Sequence, residues 1–131
     1  MVGGETFTPR QRAEIERSIR VASELSGLKF SVYVGHGELQ GDPREAAARL
    51  HAALPDPAHT VLVLVDPVDR VIEIRTGVEA RRVLSDDECR LAILTMQSAF
   101  AVGDLVGGLV NGIQQLGEHA RRPRTVHTDE V

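Results

Sequence analysis

Asp66 and Asp69 stand three residues apart, directly after the longest apolar run in the chain, Val61 to Val65. Two carboxylates on one short turn can share a hard cation such as calcium or magnesium, which binds through oxygen. A cation held there would polarise a phosphoryl oxygen and activate a water, the chemistry of a metal-assisted phosphatase. Glu38 or Asp104 is the further oxygen ligand if the fold brings it to the same place. Each of these residues also has a plainer reading. Asp104, like Asp42, precedes a helical pattern and reads as a helix cap. Asp66 and Asp69 surround Pro67 and read as turn residues. His36 reads as a solvated loop histidine, since nothing near it in sequence gives it a partner. Asp86 and Asp87 read as acids at the start of a helix. Cys89 falls on an apolar helical stripe and reads as a buried, inert thiol. The metal candidates are thus Asp66, Asp69, Glu38 and Asp104, with no catalytic residue assigned and no cofactor expected.

Motifs with a stronger mechanical signature are missing. There is no GxxxxGK[ST] loop for nucleotide phosphates, no GxSxG elbow, no HExxH pair and no EF-hand loop. Gly35-His36-Gly37 lacks the third glycine of a dinucleotide fingerprint. Aromatics are only 3% with no Trp, so the stacking platforms of a single-strand nucleic-acid binder are lacking. A formal charge of −4 and a pI near 5.7 argue against a polyanion partner. Cys89 is alone, which rules out an intrachain disulfide or a cysteine metal cluster and fits a reducing compartment. The first dozen residues have no signal-peptide apolar core, and no apolar run approaches about 18 residues, so a cytoplasmic chain without a transmembrane segment is expected.

The elements that must position these side chains are legible. Thr8-Pro9-Arg10-Gln11 is a capping box with proline at the first helical position, and Gly27 is a C-cap, so a first helix covers about 9 to 26. Leu28 to Val34 alternates as a strand. Asp42-Pro43-Arg44-Glu45 opens a second helix, about 43 to 54, as another capping box. Val61 to Val65 reads as a strand buried on both faces, broken by Asp66-Pro67-Val68-Asp69, and Val71 to Arg75 as its return arm. Ser85-Asp86-Asp87-Glu88 opens a third helix with Cys89, Ile93, Met96 and Phe100 inward. A fourth helix after Asp104 turns Leu105, Leu109, Ile113 and Leu116 inward, and its Gly107, Gly108 and Gly112 read as places of close backbone approach.

The order αβαββαα predicts an α/β fold: a three-layer α/β/α sandwich on a small mixed β-sheet, with helix two as a crossover on one face and the remaining helices covering both. One domain, residues 8–119, is expected between a flexible N-terminus, 1–7, and a flexible tail, 120–131. In such a sheet ligands bind outside the carboxyl ends of the strands. That end collects His36, Glu38, Asp42, Asp66, Asp69 and Asp104.

The run VLVLVDPVDRVIEIRTGVEARRVLSDDE, followed by SAFAVGDLVGGLVNGIQQL, resembles the TPM domain family, in which an apolar strand, a short turn and a second strand lead into a Gly-rich stretch. The family's final-helix motif is similar to Phe100, Gly103, Asp104, Leu105, Gly108, Leu109 and Gly112 here. The opening GETFTPRQRAEIERSIRVASELSGLKFSVYVG resembles an actinobacterial branch known as a domain of unknown function, DUF5130. The resemblance implies an α/β/α sandwich and, among relatives, acid phosphatases, calcium binders and membrane-associated modules for assembly or repair. This chain departs from it: Gly4-Glu5-Thr6-Phe7 stands where the family has an Asp before its first helix, and neither signal peptide nor trailing membrane helix is evident. The missing Asp removes one candidate oxygen ligand. The expectation is therefore a non-enzymatic interaction or assembly module without bound metal, monomeric, with an unknown protein partner and no nucleic acid. The alternative is a calcium- or magnesium-dependent phosphomonoester phosphatase.

Overall fold

The computed structural model describes residues 2–4, 7–36 and 41–122, the first three as backbone. Four strands, β1 (Val2–Gly4), β2 (Lys29–Val34), β3 (Thr60–Asp66) and β4 (Val71–Thr76), form one mixed sheet in that spatial order. β1, β2 and β3 are parallel, and β4 returns antiparallel to β3. The helices are α1 (Pro9–Ser26), α2 (Pro43–Ala52), α3 (Asp86–Ala101) and α4 (Leu105–His119). The α/β class and the order from α1 onward are as the sequence predicts. β1 is an addition to it: Val2–Gly4 pairs alongside Val32–Val34 in a stretch too short and glycine-rich to carry a strand signal of its own.

Every residue of β3 is buried, which is why this strand reads as a continuous apolar run rather than an alternation. Val61, Val63 and Val65 face one core together with Phe30, Val32 and Val34 of β2. Leu62 and Leu64 face a smaller cluster with Ala47 of α2, flanked by Tyr33, Leu50 and Leu54. α2 therefore lies on one face, and α1, α3 and α4 all lie on the other, with Ile15, Ile19, Met96, Leu109, Ile113 and Leu116 in the main core. This corrects the expectation that the remaining helices share both faces. Helical periodicity marks an inner side for each helix but not which sheet face that side meets.

The helix starts follow their sequence signals closely. Thr8 and Ser85 each accept an amide three residues on, at 3.1 Å, and Gln11 and Glu88 reach back to complete both boxes. Gly27 ends α1 with φ 77°. Asp42 accepts the Arg44 amide at 2.9 Å but does not form the reciprocal bond of a box, and α2 stops at Ala52 rather than Leu54. The side chain of His51 is buried and meets the Thr60 carbonyl at 2.9 Å, tying α2 to the start of β3. In α4, Gly108 and Gly112 let the helix settle on α3. A Cβ at Gly108 would stand 2.6 Å from Phe100, and one at Gly112 2.7 Å from Met96. Gly107 has a different role from the one its spacing suggests, because its Cβ would strike the capping Asp104 carboxylate at 2.1 Å. Gly117, without a sequence signal, brings α4 against Ala22 of α1.

Candidate functional site

The parallel register of β2 on β3 builds the site. Val34 pairs with Val65, and the Gly35 amide donates to the Val65 carbonyl at 3.0 Å, so pairing continues to the strand end. His36 is thereby set beside Asp66. Its Nδ1 lies 3.0 Å and 3.1 Å from the two Asp66 carboxylate oxygens and 3.7 Å from Asp69 Oδ2. A carboxylate only accepts, so the ring nitrogen facing it carries the proton.

Asp66 is only 3% exposed. Its Oδ1 accepts the amides of Val68 at 3.0 Å and Asp69 at 3.1 Å, closing the β3–β4 turn from within. Burial pushes its carboxyl up, but the Asp69 amide, the His36 ring and the Val68 amide together hold it below the ordinary value. Arg70 completes the turn with φ 57°.

Among the described residues, His36, Asp66 and Asp69 form a group whose ligand-type atoms all lie within 4.8 Å of one another. Two carboxylates and one imidazole form a mixed oxygen and nitrogen donor set that could hold a divalent cation, provided the Nδ1 proton leaves or the ring turns. The buried carboxylate orients the imidazole through Nδ1.

The other candidates separate. Asp104 does not join the group, and its Oδ1 accepts the Gly107 amide at 2.8 Å as the cap of α4. Asp42 caps α2 and lies near β4, where burial foremost, and the Asp42 charge with it, raises the Glu73 carboxyl against the pull of Arg44. Glu38 lies outside the described residues. Cys89 is buried at the start of α3, and desolvation, with Asp86 and Glu88 adding to it, pushes its thiol up to about 11, as an inert thiol requires.

Beside Asp66 opens a cleft of about 600 Å³ between the β3–β4 turn and the α3–α4 junction. Its apolar walls are Val71 and Ile72 on β4, Phe100 and Ala101 on α3, and Leu105 on α4. Arg70 and Gln97 are its polar members alongside Asp66. Val68 at the turn, 66% exposed, and Val102 at the junction, 82% exposed, stand on the two loops that border it.

The family model described as a domain of unknown function, DUF5130, matches residues 2–117. The chain belongs to the DUF5130 family. Two uncharacterized proteins of Mycobacterium tuberculosis, MT2543 of strain CDC 1551 and Rv2468c of strain H37Rv, are each 28% identical to it over 102 residues. That alignment covers 78% of this chain and 60% of the relatives, so the chain spans less than two thirds of their length. Two solution structures share the fold. The BA42 protein of the psychrophilic bacterium Bizionia argentinensis has a TM-score of 0.76 at 23% identity, over 88% of this chain and 82% of that one. The N-terminal domain of the cg2496 protein of Corynebacterium glutamicum has a TM-score of 0.75 at 14% identity, over 99% and 88%.

In this DUF5130 domain the sequence places His36, Asp66 and Asp69 at one end of the sheet, but it reads His36 as a solvated loop histidine and does not foresee its contact with Asp66. His36 is 30 residues from Asp66. The only signal that could have joined them is that both follow parallel strands on adjacent tracks. The cleft was missed as well, because Phe100 reads as one more member of a buried stripe, whereas it is half-buried in a wall.

Proposed function

We propose that this DUF5130 domain is a non-enzymatic interaction module of TPM-like type that receives a partner protein in the cleft at the carboxyl end of its strands. The observation that carries the reading is the cleft itself. Its walls are mostly apolar, its borders carry the exposed Val68 and Val102, and Arg70 and Gln97 give it polar contacts for orientation. Apolar side chains exposed together beside a concave surface are the mark of an interaction site, whereas scattered ones are ordinary. The module acts as a cytoplasmic monomer, a placement supported by the lone reduced-type Cys89; no helix among the described residues is long and apolar enough to cross a membrane.

The test is affinity capture from a lysate of the organism that makes the protein, comparing the natural domain with a Val68→Glu/Val102→Glu double variant. Both positions are exposed, so the variant keeps its fold. A partner retained by the first and lost from the second is expected. Equal capture by both would remove the cleft from the reading.

The grouping of His36, Asp66 and Asp69 supports a second reading, a calcium- or magnesium-assisted phosphatase. It requires localised amide shifts at Gly35, His36 and Asp66–Arg70 when either cation is added, and turnover of a phosphomonoester that Asp69→Asn abolishes. Absence of shifts at millimolar cation would sink it.

A further inference from the structure

Building on the reading of the cleft as a partner's seat, we propose that the partner docks as an added β-strand on the free edge of β4 and sets an apolar side chain into the cleft. β4 is the last strand of the sheet. Its pairing with β3 determines which backbone groups are already used. The Gly77 amide donates to the Thr60 carbonyl at 3.0 Å, continuing the register in which Val61 faces Thr76. Bonded pairs alternate in an antiparallel ladder, so Arg75, Glu73 and Val71 bond to Leu62, Leu64 and Asp66. Ile72, Ile74 and Thr76 aim their N–H and C=O groups the other way. The Arg81 guanidinium donates to the Thr76 carbonyl at 3.4 Å from that outer side. Among the described residues no strand lies beyond the amides and carbonyls of Ile72 and Ile74.

The cleft and this edge are continuous, because Ile72 belongs to both. A strand laid along Ile72 and Ile74 projects alternate side chains toward the same face as theirs, into the space between β4 and Phe100 of α3. Main-chain bonds then supply affinity and the cleft supplies selection, as in other strand-addition sites. The charges define the occupant further. Arg70 lies in the cleft and Arg75 is exposed on β4, and among the described residues neither forms an ion pair, although the chain as a whole carries −4. The fitting partner is thus an extended segment with apolar residues at alternate positions and at least one carboxylate for these arginines. A second copy of β4 would bring the same arginines instead.

The experiment uses octapeptides selected from a displayed random library against the whole chain, with amide hydrogen exchange followed residue by residue. Enriched peptides with alternating apolar residues and an acid are expected, and at saturation they slow exchange at Ile72 and Ile74 on the order of tenfold. Glu73 stays unchanged, since its amide is already bonded. The same peptides N-methylated at every second residue lose the effect. Protection that survives N-methylation, or peptides that bind without protecting Ile72 and Ile74, overturns strand addition. So does protection that grows with protein concentration alone, which would assign the edge to self-pairing. If the Val68→Glu/Val102→Glu variant still loses its captured partner while those amides stay unprotected, the inference fails and the cleft reading stands. If capture is untouched by that variant, the cleft reading itself fails.

Discussion

Asp66 combines two local tasks that its neighbours make compatible. Its backbone ends β3, and its buried carboxylate satisfies two turn amides and one imidazole. Replacing it by Asn keeps an acceptor for the amides but removes the charge that holds His36. The expected loss at neutral pH is about 1–3 kcal/mol, the range for a buried charged hydrogen-bonding group deprived of its partner. The pH dependence has a definite sign. The folded carboxyl titrates below its unfolded value of about 3.9, so the unfolded chain takes up the proton first. The stabilisation is complete above that value and drains away as the pH falls through the lower folded one. Urea midpoints measured between pH 2 and 7 should therefore separate natural protein from Asp66→Asn near neutrality and converge in acid. A constant separation across the range would show that the carboxylate charge is not what matters.

At the scale of elements, the boundaries are set by short-range chemistry and the close approaches by glycine. Gly77 ends β4 where the backbone abuts the loop before β3. A Cβ there would stand 1.9 Å from the Pro57 carbonyl oxygen and 2.4 Å from that of Ala58. Both obstacles are backbone and neither can swing aside. Gly77→Ala is expected to lower stability by more than about 2 kcal/mol, the territory of mutations that force backbone to move. Because the β3–β4 hairpin carries Asp66 and Arg70 at its other end, the same variant should also shift the His36 ring signals in an NMR spectrum. A thermal denaturation curve equal to that of the natural protein would contradict the packing at this corner.

Across the whole molecule, α4 holds the assembly together. It packs on α1 through Gly117 and on α3 through Gly108 and Gly112, and its Leu109, Ile113 and Leu116 are fully buried. No helix of that layer can leave without exposing the valines of β2 and β3. Ile113→Ala should cost about 2–5 kcal/mol, the range for truncating a large aliphatic side chain in a closed core. Unfolding followed separately by helix circular dichroism and by the Tyr33 signal, which reports the α2 face, should give one coincident transition in both proteins. Two separated transitions would mean that the small cluster beneath α2 folds on its own.

The sequence by itself determined the helices, the three longer strands, their order and the α/β class, because caps, turn residues and hydrophobic period act over a few neighbouring residues. Thr8 with Gln11 and Ser85 with Glu88 form the bonds their spacing announces. The same locality carried Asp66 and Asp69 to one turn. Only the tertiary structure decided that α1, α3 and α4 share a face, that His36 meets Asp66, that Asp104 stays apart as a cap, and that a cleft opens between Ile72 and Phe100. Each depends on which strands lie side by side and how closely helices approach. Contacts between residues tens of positions apart leave no period in a chain, so their geometry appears only when the sheet and its helices have closed around one core.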